Sequence, residues 1–185
     1  MQFPGLGLSG KTAEYFQYPD HFAAVIDIEG YGIVRTVYDG AKAWNEDPKR
    51  GITAITGPEL SDLRRRADLH WHIKLKEYYP GLKVKGSEKV NGKDAWVLET
   101  KEDTWTFRLS FDAQSGELVR FDTDTGAPGG TTSVSIGDYR PVGDLRFAFA
   151  ASMSGTKVNW NRTLRTVRFN VPIDADTFRP AKKKD

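Results

Sequence analysis

"GLGLSGKTAEYFQYPDHFAAVIDIEG", residues 5–30, decides the fold class. Gly5, Gly10, Lys11 and Thr12 satisfy the phosphate-loop pattern Gly-x-x-x-x-Gly-Lys-Ser/Thr, and Asp27 ends a short apolar run as a magnesium-site strand would. A phosphate loop needs a strand before it and a helix after it, because the helix N-terminus completes the anion site. The residues after Thr12 carry no helical stripe, are rich in β-preferring aromatics and soon meet Pro19. Asp27 follows Thr12 by 15 residues, too few for the crossover helix of a parallel strand pair. As strands, the same residues form a hairpin around Tyr18-Pro19-Asp20. Leu6 and Leu8 then alternate inward, as do Phe22, Ala24, Ile26 and Ile28. Nucleotide binding at Gly5–Thr12 is left as a distant alternative.

Period-2 alternation continues along the chain. In "TWTFRLSF", Trp105, Phe107, Leu109 and Phe111 share one face and Thr104, Thr106, Arg108 and Ser110 the other. "LKVKGSEKV" sets Leu82, Val84 and Val90 against Lys83, Lys85 and Lys89, and "LRFAFAASM" alternates through Leu145, Phe147, Phe149 and Met153. Val158, Trp160 and Leu164 hold one parity and Val167, Phe169 and Val171 the other, which predicts a bulge or turn between them. "YDGAKAW", "VNGKDAW" and "DAQSGEL" put turn residues where hairpins need positive φ. About ten strands with short connections predict a mainly β, α+β fold with a sequential antiparallel sheet.

One stretch differs. In "TGPELSDLRRRADLHWHIKLKEYYPG", Pro58 suits a first helical turn and Pro80-Gly81 a stop. Leu60, Leu63, Ala67, Trp71, Leu75 and Tyr78 form one apolar stripe, predicting a single long amphipathic helix over about residues 58–79, lying across the sheet.

A chain of 185 residues fits one domain and buries a core without staples; it has no cysteine, which removes disulfides and thiolate chemistry. No apolar run approaches a membrane span, and no charged-then-apolar leader precedes Gly5. Of 27 basic and 25 acidic residues, the closing "KKKD" holds three and one, so the body is balanced at 24 each. This balance predicts a solvated basic tail at 181–185 and no nucleic-acid footprint. Five tryptophans and 12% aromatics point to broad apolar surfaces, in a core or in a ligand cavity.

Other patterns carry little chemistry. His70 and His72 stand about 200° apart on the expected helix and cannot share one ion. "DTDTG", with Asp122, Asp124 and Gly126, opens like a calcium loop but has Ser133 where the loop needs glutamate, so an acidic hairpin tip is expected. No serine sits in a nucleophile elbow. The expectation is a protein that is not an enzyme, with no metal and no cofactor.

Taken in order, "LGLSG", "YDGAKAWNEDPKRGITAITGPEL", "LRRRADL", "YYPGLKVKGSEKVNGKDAWVLET", "LSFDAQSGELVRFD", "DYRPVGDLRFAF" and "FNVPIDADTFRP" resemble the outer-membrane lipoprotein carrier and lipoprotein-sorting (LolA/LolB-like) superfamily. The resemblance implies one curved antiparallel sheet, an open half-barrel over residues 1–180, with the helix covering its concave face. It also implies an exported, periplasmic protein that holds a lipid or acylated protein. The carrier proper has a helix and strand ahead of "LGLSG". This chain is therefore expected to be an N-terminally trimmed domain with an exposed edge strand, open to homodimer pairing.

Parity then assigns the ligand-facing residues: Ile26, Ile28, Trp96, Leu98, Trp105, Phe107, Leu109, Phe147, Phe149 and Trp160, closed by Leu63, Trp71 and Leu75. Apolar sequestration under a lid is the implied mechanism. The rival reading is an interaction module with a filled core, docking to a larger envelope protein or fusion partner through its sheet edge.

Overall fold

The computed structural model describes residues 1–71, 73–155 and 158–181. In chain order the strands are β1 (Gln2–Phe3), β2 (Leu8–Gln17), β3 (His21–Ile28), β4 (Gly32–Asp39), β5 (Ala43–Asp47) and β6 (Gly51–Ile55). Helices α1 (Gly57–Ala67) and α2 (Leu75–Tyr78) follow. The remaining strands are β7 (Lys83–Val90), β8 (Lys93–Glu102), β9 (Trp105–Asp112), β10 (Leu118–Asp124), β11 (Thr131–Val142), β12 (Leu145–Gly155) and β13 (Trp160–Thr163). The fold is mainly β: thirteen antiparallel strands in an open sheet, with β6 and β7 as its free edges. Thirteen exceeds the ten expected because β1, β5 and β6 have two to five residues, too few for alternation to register.

The chain divides into two compact units. The first takes most of residues 8–74 and the segment from Asn170 onward. Its strands β2–β6 form a meander paired in sequence order. Register alternates two cores on the two faces. Phe22, Tyr38, Ala43 and Ile55 pack with Leu63 and Ala67 of α1 on one side. Ala23, Val37 and Trp44 pack with Phe178 on the other. Burying a side chain such as Leu63, 1% exposed, contributes about 1.5–3 kcal/mol. Arg64 of α1 donates to the Tyr38 hydroxyl at 3.1 Å, which donates to the Gly40 carbonyl at 2.8 Å.

On the second face, Phe178 sits in a short 3-10 turn, Ala175–Phe178. Arg35 fastens this segment: its guanidinium pairs with Glu46 at 2.8 Å and donates to the Thr177 carbonyl at 2.9 Å. Glu46 also accepts the Ala181 N–H at 2.7 Å and the Trp44 indole N–H at 3.2 Å. A 7% exposed carboxylate is thus fully satisfied, which its burial requires. The irregular backbone at residues 164–174 replaces the strand pattern expected from Val167, Phe169 and Val171.

The second unit holds residues 2–7 and 75–169. Its sheet runs β1-β13-β12-β11-β10-β9-β8-β7. Tyr79, just beyond α2, is 2% exposed and packs on Phe107 at 5.6 Å between ring centroids.

The long helix over 58–79 is not formed. Helix α1 stops at Ala67 because Asp68 adopts an extended conformation. Its carboxylate takes the His70 N–H at 2.8 Å and the Lys74 ammonium at 2.7 Å, an aspartate turn that competes with the helical ladder. The apolar stripe is divided: Leu63 lies in α1, Trp71 in the turn and Leu75 at the start of α2. The expected basic tail at 182–185 and His72 lie outside the described residues.

Residues 8–28 form the predicted hairpin, with Lys11 opposite Asp27 and Thr12 opposite Ile26. The phosphate-loop letters therefore fall on a strand, where the backbone N–H groups cannot converge on an anion. Leu6 does not turn inward: it lies in a 3-10 turn, Pro4–Leu6, and is 61% exposed. Gly10 is needed for close approach, since a Cβ there would meet the Asp27 carbonyl oxygen at 2.6 Å. Gly10→Ala is expected to destabilise by about 1–3 kcal/mol. Lys11→Ala, on an exposed side chain, is expected to change stability by less than about 0.5 kcal/mol. Denaturant midpoints of the two variants check this, and the reverse order would contradict the strand assignment.

Candidate functional site

In the eight-strand unit, register places apolar side chains in a continuous row. Trp160 stands opposite Met153, Met153 opposite Val134, Val134 opposite Phe121, Phe121 opposite Leu109, Leu109 opposite Leu98 and Leu98 opposite Val84. Directly paired residues of an antiparallel ladder point to one face, so one apolar row crosses seven strands. Phe107 and Trp105 lie beyond Leu109 on that face of β9, with their rings 5.9 Å apart, and Phe107 stacks on Phe121 at 6.1 Å.

The opposite face is ionic. Glu99 accepts from Arg108 at 2.7 Å and pairs with Lys85 at 3.2 Å. Arg120 bonds Glu88 and Asp122, Ser110 donates to Glu88 at 3.0 Å, and Ser133 donates to Asp122. The Arg108 hydrogen bond is the main cause that holds the Glu99 carboxyl below the ordinary glutamate value, against desolvation. Asp112 is likewise pushed down, chiefly by the backbone N–H groups of Ser115 and Gln114. Tyr139 is pushed up to about 12 by burial and by the nearby Glu117. These groups are held in their ordinary charge states, and none is poised to exchange a proton near neutral pH.

The thirteen residues expected to face a ligand divide between the units. Ile26, Ile28, Leu63 and Trp71 belong to the five-strand unit. By parity Ile26 and Ile28 share the face of β3 that carries Phe22, but they are not part of the cluster that packs against α1. Leu75 opens α2 in the eight-strand unit. Trp96, Leu98, Trp105, Phe107, Leu109, Phe147, Phe149 and Trp160 lie on β8, β9, β12 and β13, and by register all eight share the face of the apolar row. Phe107, Leu109 and Phe149 are buried at 1%, 0% and 7% exposure, whereas Trp96 is 52% exposed.

Sequence reading missed Phe121, Val134 and Tyr79. The alternation of Val134 and Ile136 with Ser133 and Ser135 could have found the second; Tyr79 lies outside any alternating run. Val84 and Val90 were assigned one face, but a bulge between Val84 and Gly86 sends them to opposite faces.

A cleft of about 310 Å³ lies among Val90, Ala95, Asp112, Glu117, Val119 and Tyr139. None of the thirteen residues lines it. Ala95 and Asp112, in its wall, pair on the ionic face, and Glu117 is already engaged by Arg146 at 2.7 Å. Among the described residues no group of three or more His, Asp or Glu could hold a metal ion, and no helix is long and apolar enough to cross a membrane.

No family model and no curated relative matches the sequence. Solved structures do share the fold. An outer membrane lipoprotein-sorting protein domain from Vibrio parahaemolyticus superposes with a TM-score of 0.59 at 15% identity, over 92% of this chain and 80% of that one. A DUF1329 family protein from Desulfovibrio piger gives 0.57 at 11% identity, over 91% and 80%. A LolA superfamily protein from Nitrosomonas europaea gives 0.54 at 12% identity, over 86% and 79%. The chain shares the fold of these three structures, as the ordered sequence stretches implied.

Because the folded pKa of Glu99 is lowered, its pairing stabilises the protein above the ordinary glutamate value and is lost as pH falls through the folded one. Glu99→Gln is expected to be less stable than wild type at neutral pH, with the gap narrowing below about pH 4.5. Urea midpoints across pH 3 to 7 check it, and a gap that widens in acid would contradict the pairing.

Proposed function

We propose that this chain is a non-catalytic periplasmic carrier or sensor domain that holds an acyl chain of a lipid or lipidated protein. The observation that carries this reading is the unbroken apolar row from Trp160 to Val84, backed by an ionic face that keeps the sheet wetted on its other side. Only part of the row is filled by the protein itself. Leu109 is fully buried, whereas Leu98, Phe121, Val134, Met153 and Trp160 are half-buried and Val84 is 66% exposed. Apolar surface left partly in water is what an acyl chain would cover, at about 0.8 kcal/mol per buried methylene. The shared fold with lipoprotein-sorting structures supports the same class of ligand. No step of bond making is required, and release follows from displacement of the groups that cover the row.

The complete burial of Phe107, against Tyr79, and of Leu109 favours a second reading, a filled core whose sheet edge docks a larger envelope protein. The two readings separate on one measurement. Titration with a fluorescent fatty acid is expected to saturate at one per chain, and Trp105→Ala to weaken binding at least about fivefold while far-UV circular dichroism stays unchanged. Absence of uptake by the wild type would support the filled core. Equal binding by the variant would remove Trp105 from the ligand surface.

A further inference from the structure

Resting on the carrier reading, we propose that an anionic amphiphile is held with its head at the free edge β7, on Ser87, Lys89 and Trp96. Exposure along the apolar row is graded: Leu109 is 0% exposed, Leu98 half-buried and Val84 66% exposed. The row therefore has a dry middle and a wet end, and the wet end is β7.

At that end the side chains change character. Ser87 stands opposite Trp96 and Lys89 opposite Asp94, and Trp96 stands opposite Phe111, so all five lie on the face of the row. Ser87 Oγ–H, Lys89 Nζ and the Trp96 indole N–H are three hydrogen-bond donors at the border of an apolar floor made by Val84 and Leu98. The side chains of Ser87 and Trp96 have no hydrogen-bond partner among the described residues. Lys89 pairs with Asp94 at 2.9 Å, but their side chains are 67% and 71% exposed, so solvent screens the pair and a ligand oxygen can take its place.

Three donors with positive charge fit a carboxylate or phosphate head and do not fit a quaternary ammonium. The exposed Val84 and half-buried Leu98 give the first methylenes of the tail an apolar floor beside that head, and entry past them requires displacement of the groups that bury Leu109.

The test uses four ligands with one tail: dodecanoate, dodecyl phosphate, dodecanol and dodecyltrimethylammonium. Each is titrated by calorimetry below its micelle concentration, with inorganic phosphate as a fifth, tail-free ligand. Both anions are expected to bind about fivefold tighter than dodecanol, with the ammonium weakest, and the difference should shrink between roughly 20 and 200 mM salt. Lys89→Gln should weaken the anions and leave dodecanol unchanged. Asp94→Asn should strengthen the anions by removing the competing carboxylate. Trp96→Phe keeps the ring and loses the donor, so it too should affect only the anions.

Equal affinity for all four heads, or anion binding indifferent to Lys89 and Asp94, would overturn the head site while the carrier reading stood. Inorganic phosphate binding as tightly as dodecyl phosphate would make this a phosphate site with no tail and would also overturn it. Failure of every tailed ligand to bind would remove the carrier reading, and the head site with it.

Discussion

The eight-strand unit depends on register. Seven strands from β13 to β7 keep step closely enough for one apolar side chain on each to meet the next. A slip of one residue would carry a strand's apolar members to the ionic face and bring polar side chains such as Arg108, Asp122, Ser133 or Ser152 into the row. The ion pairs of Glu99 with Arg108 and of Arg120 with Glu88 and Asp122 penalise the same slip from the other side. Each pair is modest by itself. Their value lies in being correct in only one register. The two bulges, at Val84/Gly86 and at Leu118/Arg120, are the points where the alternation is reset.

The five-strand unit solves a different problem with the same kind of strand. Both faces of its sheet are apolar, so each needs a cover. Helix α1 supplies one through Leu63 and Ala67, and the segment carrying Phe178 supplies the other. Two polar groups at these covers are well satisfied: Tyr38 by Arg64 and Gly40, and Glu46 by Arg35, Trp44 and Ala181. With both faces occupied, this sheet resembles a closed core, whereas the eight-strand sheet keeps apolar surface in partial contact with water.

The parts legible in the sequence are those governed by local periodicity. "TWTFRLSF" declares the two faces of β9 without any partner. Gly40, Asn91, Gly92 and Gly116, within the turns read from sequence, all take positive φ. The long helix failed because its stripe is compatible with 3.6-residue periodicity across Asp68, and nothing local announces that this carboxylate will turn back on His70 and Lys74. Strand β1 escaped for a related reason: its two residues gain strand geometry from their neighbours, not from their own pattern. The eight predicted residues of β8, β9, β12 and β13 fell on one face because parity within a strand survives whatever pairs with it. How much each would be covered was not readable, since Trp96 and Leu109 obey the same alternation at opposite extremes of exposure.

The clasp at Arg35 joins residues 142 positions apart, from Arg35 to Thr177. A ribosome therefore completes β4 and β5 long before it makes the residues that will cover Trp44. Until then the second face of the five-strand sheet has no lining, and Glu46 has neither the Ala181 N–H nor a reason to be dehydrated. Contacts of such separation slow folding, because loop closure must precede their reward. In a nascent chain of this design the five-strand sheet stays covered on one face only until the segment carrying Phe178 has been made.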